Sequence, residues 1–194
     1  NWTQVNTSGF IPTTFTEYYD PQANASTRGA TYSGTLTIGN FPYSVDYSNS
    51  MKQVFRRKTF EFTVNAAFEQ VIAHCRQVSR TGQSGTWITP DMEQAYIRLH
   101  NTGHAHSAEA WQDGQLVGGC YGIRLGKAYC GESMFSLVPN ASKFAFLSYA
   151  QLLRDAGVHF IDCQVYTAHL ESLGARDVPR AEFLEELKVA LNGE

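Results

Sequence analysis

No apolar run in the chain approaches the ~20 residues that a membrane-crossing helix needs, and no secretory-type leader opens it. The chain begins on Asn1 rather than Met, so it is read as trimmed or as lacking its natural start. Cysteine is sparse. Cys75, Cys120, Cys130 and Cys163 lie far apart and include no CxxC pair, which favours reduced thiols over a disulfide scaffold or a zinc site. Internal repeats and low-complexity tracts are absent as well. These gaps argue against a membrane-crossing helix, a disulfide scaffold and a repeat architecture, and they fit a cytoplasmic protein.

What is present is ordinary globular material, with 43% hydrophobic and 17% charged residues in 194. That length supports one domain with a real core plus a smaller lead-in. The net charge of −3 does not by itself suggest a polyanionic partner. Its distribution is uneven, because residues 51–80 carry +4 and the remainder −7. Lys52, Arg56, Arg57 and Lys58 form the dense part of that basic window. Such a patch is either unpatterned surface charge or a local grip on phosphates.

Residues 1–50 are rich in Thr, Ser, Asn, Tyr and Gly, and only residues 31–38 alternate well enough for a strand. From Phe60 the text is regular. Phe60, Phe62 and Val64 alternate as a strand, and Asn65 is expected to cap a helix with Phe68, Val71, Ile72 and Cys75 on one side. After a Gly/Ser loop over 80–85, Thr89-Pro90-Asp91 opens a second helix with Met92, Ala95, Tyr96 and Leu99 inward, ended by Gly103. A hairpin is expected around Asp113-Gly114, joining 107–111 to 115–121. A third strand covers 127–135. Residues 140–157 read as a buried helix, apolar nearly all round, with Asn140 as N-cap and Gly157 as stop. Residues 158–165 read as a strand. A short helix over 167–173 and a last one from Pro179, burying Phe183, Leu184, Leu187 and Leu191, complete an α+β fold.

The strand over 158–165 carries the oddest chemistry. Asp162 and Gln164, two apart, are expected on one face. A carboxylate and a carboxamide in a buried strand are either an internal hydrogen-bonded pair or the floor of a site, and spacing does not choose between them. Cys163 with His169 makes a poor nucleophile–base pair, since no cation or helix start activates the thiol. His100, His104 and His106 span a helix end and a strand start, so their rings do not converge on a metal. Gly118, Gly119 and Gly122 precede no helix and are read as close packing or as backbone against a ligand.

The phrases GGCYG, CGESMF, NASK, IDCQ, AHLESLGA and PRAEFLEEL occur in that order. With the earlier SMK, GTWITPDMEQAYIRLH and HAHSAEAW, they resemble the leucyl/phenylalanyl-tRNA–protein transferase family over about residues 49–187. The resemblance implies an acetyltransferase-like (GNAT) mixed sheet flanked by helices over 51–194, behind a divergent N-terminal segment, 1–50. Within that segment Gly39 to Tyr43 resembles one family phrase and Tyr18 to Pro21 faintly echoes another, in the wrong order and at the wrong spacing.

The implied activity is transfer of Leu or Phe, with Met as a further candidate donor, from aminoacyl-tRNA to proteins beginning with Arg or Lys, marking them for degradation (the N-degron pathway). The resemblance gives Asp162 and Gln164 a catalytic relay. It implies that Trp87 stacks on the terminal adenosine, and that Cys120, Tyr129, Met134, Tyr149 and Leu153 line a pocket for the transferred side chain. It also implies a non-metal role for His100 and His106. Glu132, the remaining carboxylate, is expected to face the acceptor's positive charge, and Lys52, Arg56, Arg57 and Lys58 the acceptor-stem phosphates. No cofactor is expected. The glycine loop that coenzyme A requires is missing ahead of the buried helix, which disfavours an N-acetyltransferase, the weaker rival. A non-catalytic tRNA- or peptide-binding relative is the stronger one.

Overall fold

The computed structural model describes residues 35–36, 49–78, 86–164, 166–171 and 173–192. The expected loop over 80–85, Val165 and most of residues 1–48 lie outside these. A six-stranded sheet organises the rest, in the order β1-β6-β5-β4-β3-β2. Its strands are β1 (Thr35–Leu36), β2 (Glu61–Val64), β3 (Ala105–Gln112), β4 (Gln115–Leu125), β5 (Ala128–Ser136) and β6 (Phe160–Asp162). Only the β5–β6 pair is parallel, and all other neighbours are antiparallel. The helices are α1 (Asn49–Arg57), α2 (Phe68–Gln77), α3 (Pro90–Asn101), α4 (Ala141–Asp155), α5 (Ala168–Glu171) and α6 (Arg180–Asn192).

A core sits on each face of the sheet, and a smaller cluster packs α6 onto β5 and β6. On one, α4 covers the middle strands with Phe144, Ala145 and Tyr149, and α1 adds Met51 beside Phe60. On the other, α2 and α3 bring Phe68, Val71, Ile72, Cys75 and Tyr96 onto Tyr121 and Phe135. The apolar face of α1 (Met51, Val54, Phe55) leaves Lys52, Arg56 and Arg57 exposed on its other side. No helix among the described residues is long and apolar enough to cross a membrane.

The turns follow their chemistry. Asp113 (φ 51°) and Gly114 (φ 73°) both adopt the left-handed conformation that a two-residue hairpin needs. The Thr89 side chain accepts from Met92 N at 3.3 Å, with Pro90 in the first turn of α3. Gly157 (φ 76°) closes α4 by donating to Arg154 O at 2.8 Å.

Four expectations are corrected. Asn140 stands at the start of α4 in a left-handed conformation and makes no side-chain cap; Ser136 Oγ accepts from Ser142 N at 3.2 Å instead. Asn65 does not cap α2, which starts after Ala67; its Oδ1 accepts from Ser107 N at 3.0 Å. Leu184 on α6 is 39% exposed rather than buried. The strand expected over 158–165 is only Phe160–Asp162.

Gly118 explains itself by packing. A Cβ there would stand 2.5 Å from Ala141 Cβ, so α4 begins directly on β4.

Candidate functional site

β5 and β6 run in parallel as far as the pair Cys130↔Asp162 and then part, since β6 ends there while β5 continues to Ser136. At the fork, β5 carries a bulge. Tyr121 opposes Ser133 and Gly122 opposes Gly131, leaving Glu132 as the extra residue without a partner on β4. A bulge re-aims the side chain it carries. Gly122 is needed opposite it, because a Cβ there would collide with Cys130 O and the Tyr129 ring.

The expectation that Asp162 and Gln164 share a strand face fails on the backbone. Gln164 lies beyond β6 with φ 62°, left-handed for a residue that rarely adopts it. Asp162, only 4% exposed, folds the chain there: its Oδ1 accepts from Gln164 N at 2.8 Å. This is the local turn that aspartate side chains favour. The two residues are still joined, through a turn rather than through alternation.

The Gln164 carboxamide reaches the bulge, where Nε2 donates to Glu132 Oε1 at 3.3 Å. Glu132 also accepts from the Tyr96 hydroxyl. Burial pushes the Glu132 carboxyl up to about 7; the bonds from Tyr96 and Gln164 oppose that rise, and the charge of Asp162 adds to it. Tyr96 was legible only as part of a buried stripe. A phenol there still needs a partner for its oxygen, and that was the available signal.

Tyr96 also meets Trp87 edge to face, with ring centroids 6.4 Å apart at 76°. Trp87 is half-buried, just ahead of α3, where Thr86 Oγ1 accepts from Ile88 N at 3.2 Å. Trp87, Tyr96, Glu132, Gln164 and Asp162 therefore form one continuous set of contacts.

On the α4 face, Cys120, Tyr129, Tyr149 and Leu153 are buried in one core, with Met134 half-buried against it. Cys120 and Met134 are cross-strand partners. Tyr129 and Tyr149 meet edge to face at 5.2 Å and 80°. Tyr129 turns its hydroxyl to His106 O at 3.4 Å. Burial raises the pKa of the Cys120 thiol and of both phenols, so all three stay neutral.

The other candidates lie apart. Lys52, Arg56, Arg57 and Lys58 are all exposed on or just after α1. Arg57 also lines a hollow of about 280 Å³ between α1 and the start of α4, with Ser50, Thr59 and Asn140. The histidine rings are engaged separately. His100 Nδ1 lies 2.9 Å from Ala105 O and its ring stacks on Phe68, while His106 Nδ1 is 3.1 Å from Asn65 Nδ2.

One carboxylate escaped sequence reasoning altogether. Glu109 on β3 is fully buried and accepts from Ser107 Oγ at 2.5 Å, Thr63 Oγ1 at 2.6 Å and Ala67 N at 3.5 Å. Thr63 in turn accepts from Trp111 Nε1 at 2.7 Å.

The leucyl/phenylalanyl-tRNA protein transferase family model matches residues 41–188. A relative of that name from Flavobacterium johnsoniae is 52% identical over 141 residues, 73% of this chain and 66% of its own. Another, from Anaeromyxobacter dehalogenans (strain 2CP-C), is 51% identical over 150 residues, 77% and 64% respectively. The chain thus spans about two-thirds of the length of these curated relatives. Among solved structures, the C-terminal domain of an Agrobacterium fabrum protein assigned as a lysylphosphatidylglycerol synthetase shares the fold at TM-score 0.51 and 15% identity, over 84% of this chain and 66% of that one. The mixed sheet with helices on both of its faces makes the fold α+β.

Proposed function

The chain belongs to the leucyl/phenylalanyl-tRNA protein transferase family, and from that premise we propose that it transfers Leu or Phe from aminoacyl-tRNA to the α-amino group of acceptor proteins. The observation that carries this reading is the corner where the Asp162 turn places the Gln164 carboxamide against Glu132. Acceptors beginning with Arg or Lys, a part in protein degradation and a cytoplasmic setting belong to the same proposal.

The reaction is aminolysis of an activated ester. A free α-amino group has a pKa around 7.7–8.0, so a usable fraction is neutral near pH 7. The protein's task is to hold amine and ester in line and to ease proton loss from nitrogen. The Gln164 Oε1 is the acceptor for the attacking amine, and Asp162 fixes the backbone that carries it. Glu132 and Asp162 together offer counter-charge to an arriving ammonium.

Cys120, Tyr129, Met134, Tyr149 and Leu153 supply an apolar environment suited to a Leu or Phe side chain. Trp87 offers a flat ring for the terminal base. Lys52, Arg56, Arg57 and Lys58 present exposed positive charge to the acceptor-stem phosphates, a contact blind to sequence and weakened by salt.

The test offers labelled Leu-tRNA or Phe-tRNA together with a peptide beginning with Arg. Label should appear on the peptide and be abolished by N-acetylating it. Binding of tRNA without label transfer would identify a non-catalytic relative, and transfer from acetyl-CoA instead would overturn the proposal.

A further inference from the structure

We propose that Glu132 is the positioning residue for the Gln164 carboxamide: by accepting from Nε2, it leaves Oε1 as the atom presented to the attacking amine. The inference deepens the transferase reading and rests on it. The resemblance gives the polarising role to Asp162, but the contact the Asp162 carboxylate makes to Gln164 is with its backbone N–H, at 2.8 Å. The side-chain amide of Gln164 goes to Glu132.

A carboxamide has two ends of similar shape and opposite hydrogen-bonding sense. An ionised carboxylate only accepts, so it fixes which end faces it, and the oxygen must then face away. Glu132 can do this because the bulge at Gly122 turns it out of the sheet ladder. The Tyr96 hydroxyl holds it from α3. The groups that shift its titration are Tyr96 on α3, Gln164 after β6 and Asp162 on β6; none of them is a cation. Protonation of Glu132 turns one of its oxygens into a donor and removes the preference that sets the amide.

During transfer, the amine nitrogen bonds to the ester carbonyl carbon and the bond from that carbon to the terminal ribose oxygen breaks. The surplus proton on nitrogen ends on the leaving oxygen. Gln164 and Glu132 are unchanged throughout, and in this step they act by orienting the amine's lone pair.

Three variants separate orientation from charge, with kcat and the KM for each substrate measured from pH 6 to 9. Wild-type protein must transfer label first; if it does not, the transferase reading itself fails. Glu132→Gln removes the charge and, like the protonated acid, keeps an acceptor oxygen for Gln164 Nε2 without enforcing the orientation of its amide. It should hold kcat within about fivefold while losing the ionisation near pH 7 from the kcat profile. Glu132→Leu removes the acceptor as well and should lower kcat about a further 10- to 100-fold, the scale of a misaligned reacting group. KM for aminoacyl-tRNA should move little in either. Tyr96→Phe covers the case in which the Leu variant does not fold. It releases Glu132 from one of its donors and should lower kcat several-fold, again with KM for aminoacyl-tRNA held. Equal kcat in the Gln and Leu variants, or wild-type kcat in Tyr96→Phe, would overturn the proposal.

Discussion

Two carboxylates two strands apart, one sealed and one half-buried, show how one residue type is put to opposite uses. Glu109 is sealed on the α2–α3 side of the sheet and receives three donors, from β2, from its own strand and from the start of α2. Glu132 stands in a bulge at the fork of β5 and β6 and, among the described residues, receives the Tyr96 hydroxyl and the Gln164 amide. Desolvation of a carboxylate is expensive unless hydrogen bonds replace the lost water. At Glu109 they do, and the residue ties three elements together. At Glu132 they fall short, and the deficit appears as a carboxyl raised to about 7. A site proposed to receive an amine needs that incompleteness; a tie within the fold does not.

The largest effect expected from breaking this contrast is at the sealed residue. Glu109→Ala strands the Thr63 and Ser107 hydroxyls and opens a cavity beneath α2. The loss should be about 3 kcal/mol of folding free energy, read as a lowered midpoint in chemical denaturation. A change below about 1 kcal/mol would mean that Glu109 is no better compensated than Glu132.

The second test has the opposite sign. Glu132 titrates near 7 in the folded chain against 4.5 when free, so the folded state holds its proton more tightly. Stability from this group is therefore present at low pH and is lost as pH rises from about 4.5 through 7. Glu132→Gln removes the ionisation, so it should stabilise the protein by roughly 1–2 kcal/mol at pH 8 and by nearly nothing at pH 4. Thermal unfolding at the two pH values measures the difference. A destabilised Gln variant at pH 8 would show that the charge is well accommodated after all.

The sheet and its helices were legible because their signals are local: period-2 alternation in β2, the Asp113-Gly114 turn, and the Phe68, Val71, Ile72, Cys75 stripe of α2. The site was legible as residue types and not as geometry. Alternation placed Asp162 and Gln164 on one face, yet what joins them is a backbone φ of 62° at a glutamine. Nothing in a glutamine announces that conformation, which costs of order 1 kcal/mol and is held by the Asp162 turn. Asn140 shows the same limit from the other side. As an asparagine it suits a helix N-cap or a left-handed residue equally, and Ser136, six residues before Ser142, took the capping role. Glu109 was invisible because its partners Thr63 and Ala67 lie 46 and 42 residues away in sequence. Its carboxylate could be placed only once β2 was known to pair with β3. The bulge that frees Glu132 is likewise a property of the β4–β5 register, which depends on both strands at once.

The smallest expected effect sharpens the boundary between tie and site. Trp111 Nε1 donates to Thr63 Oγ1 at 2.7 Å, at the outer end of the Glu109 cluster. Trp111→Phe removes that donor while Thr63 keeps its own bond to Glu109. Trp111 is only half-buried, so water can take over part of the lost bond. The cost should be about 1 kcal/mol, equal at pH 5 and pH 8, because the group lost does not titrate. In the label-transfer assay kcat and both KM values should match wild type, since Trp111 lies on β3 and the fork is formed by β5 and β6. A drop in kcat as large as that of Glu132→Leu would couple the two carboxylate clusters, and the division of labour between them would then have no basis.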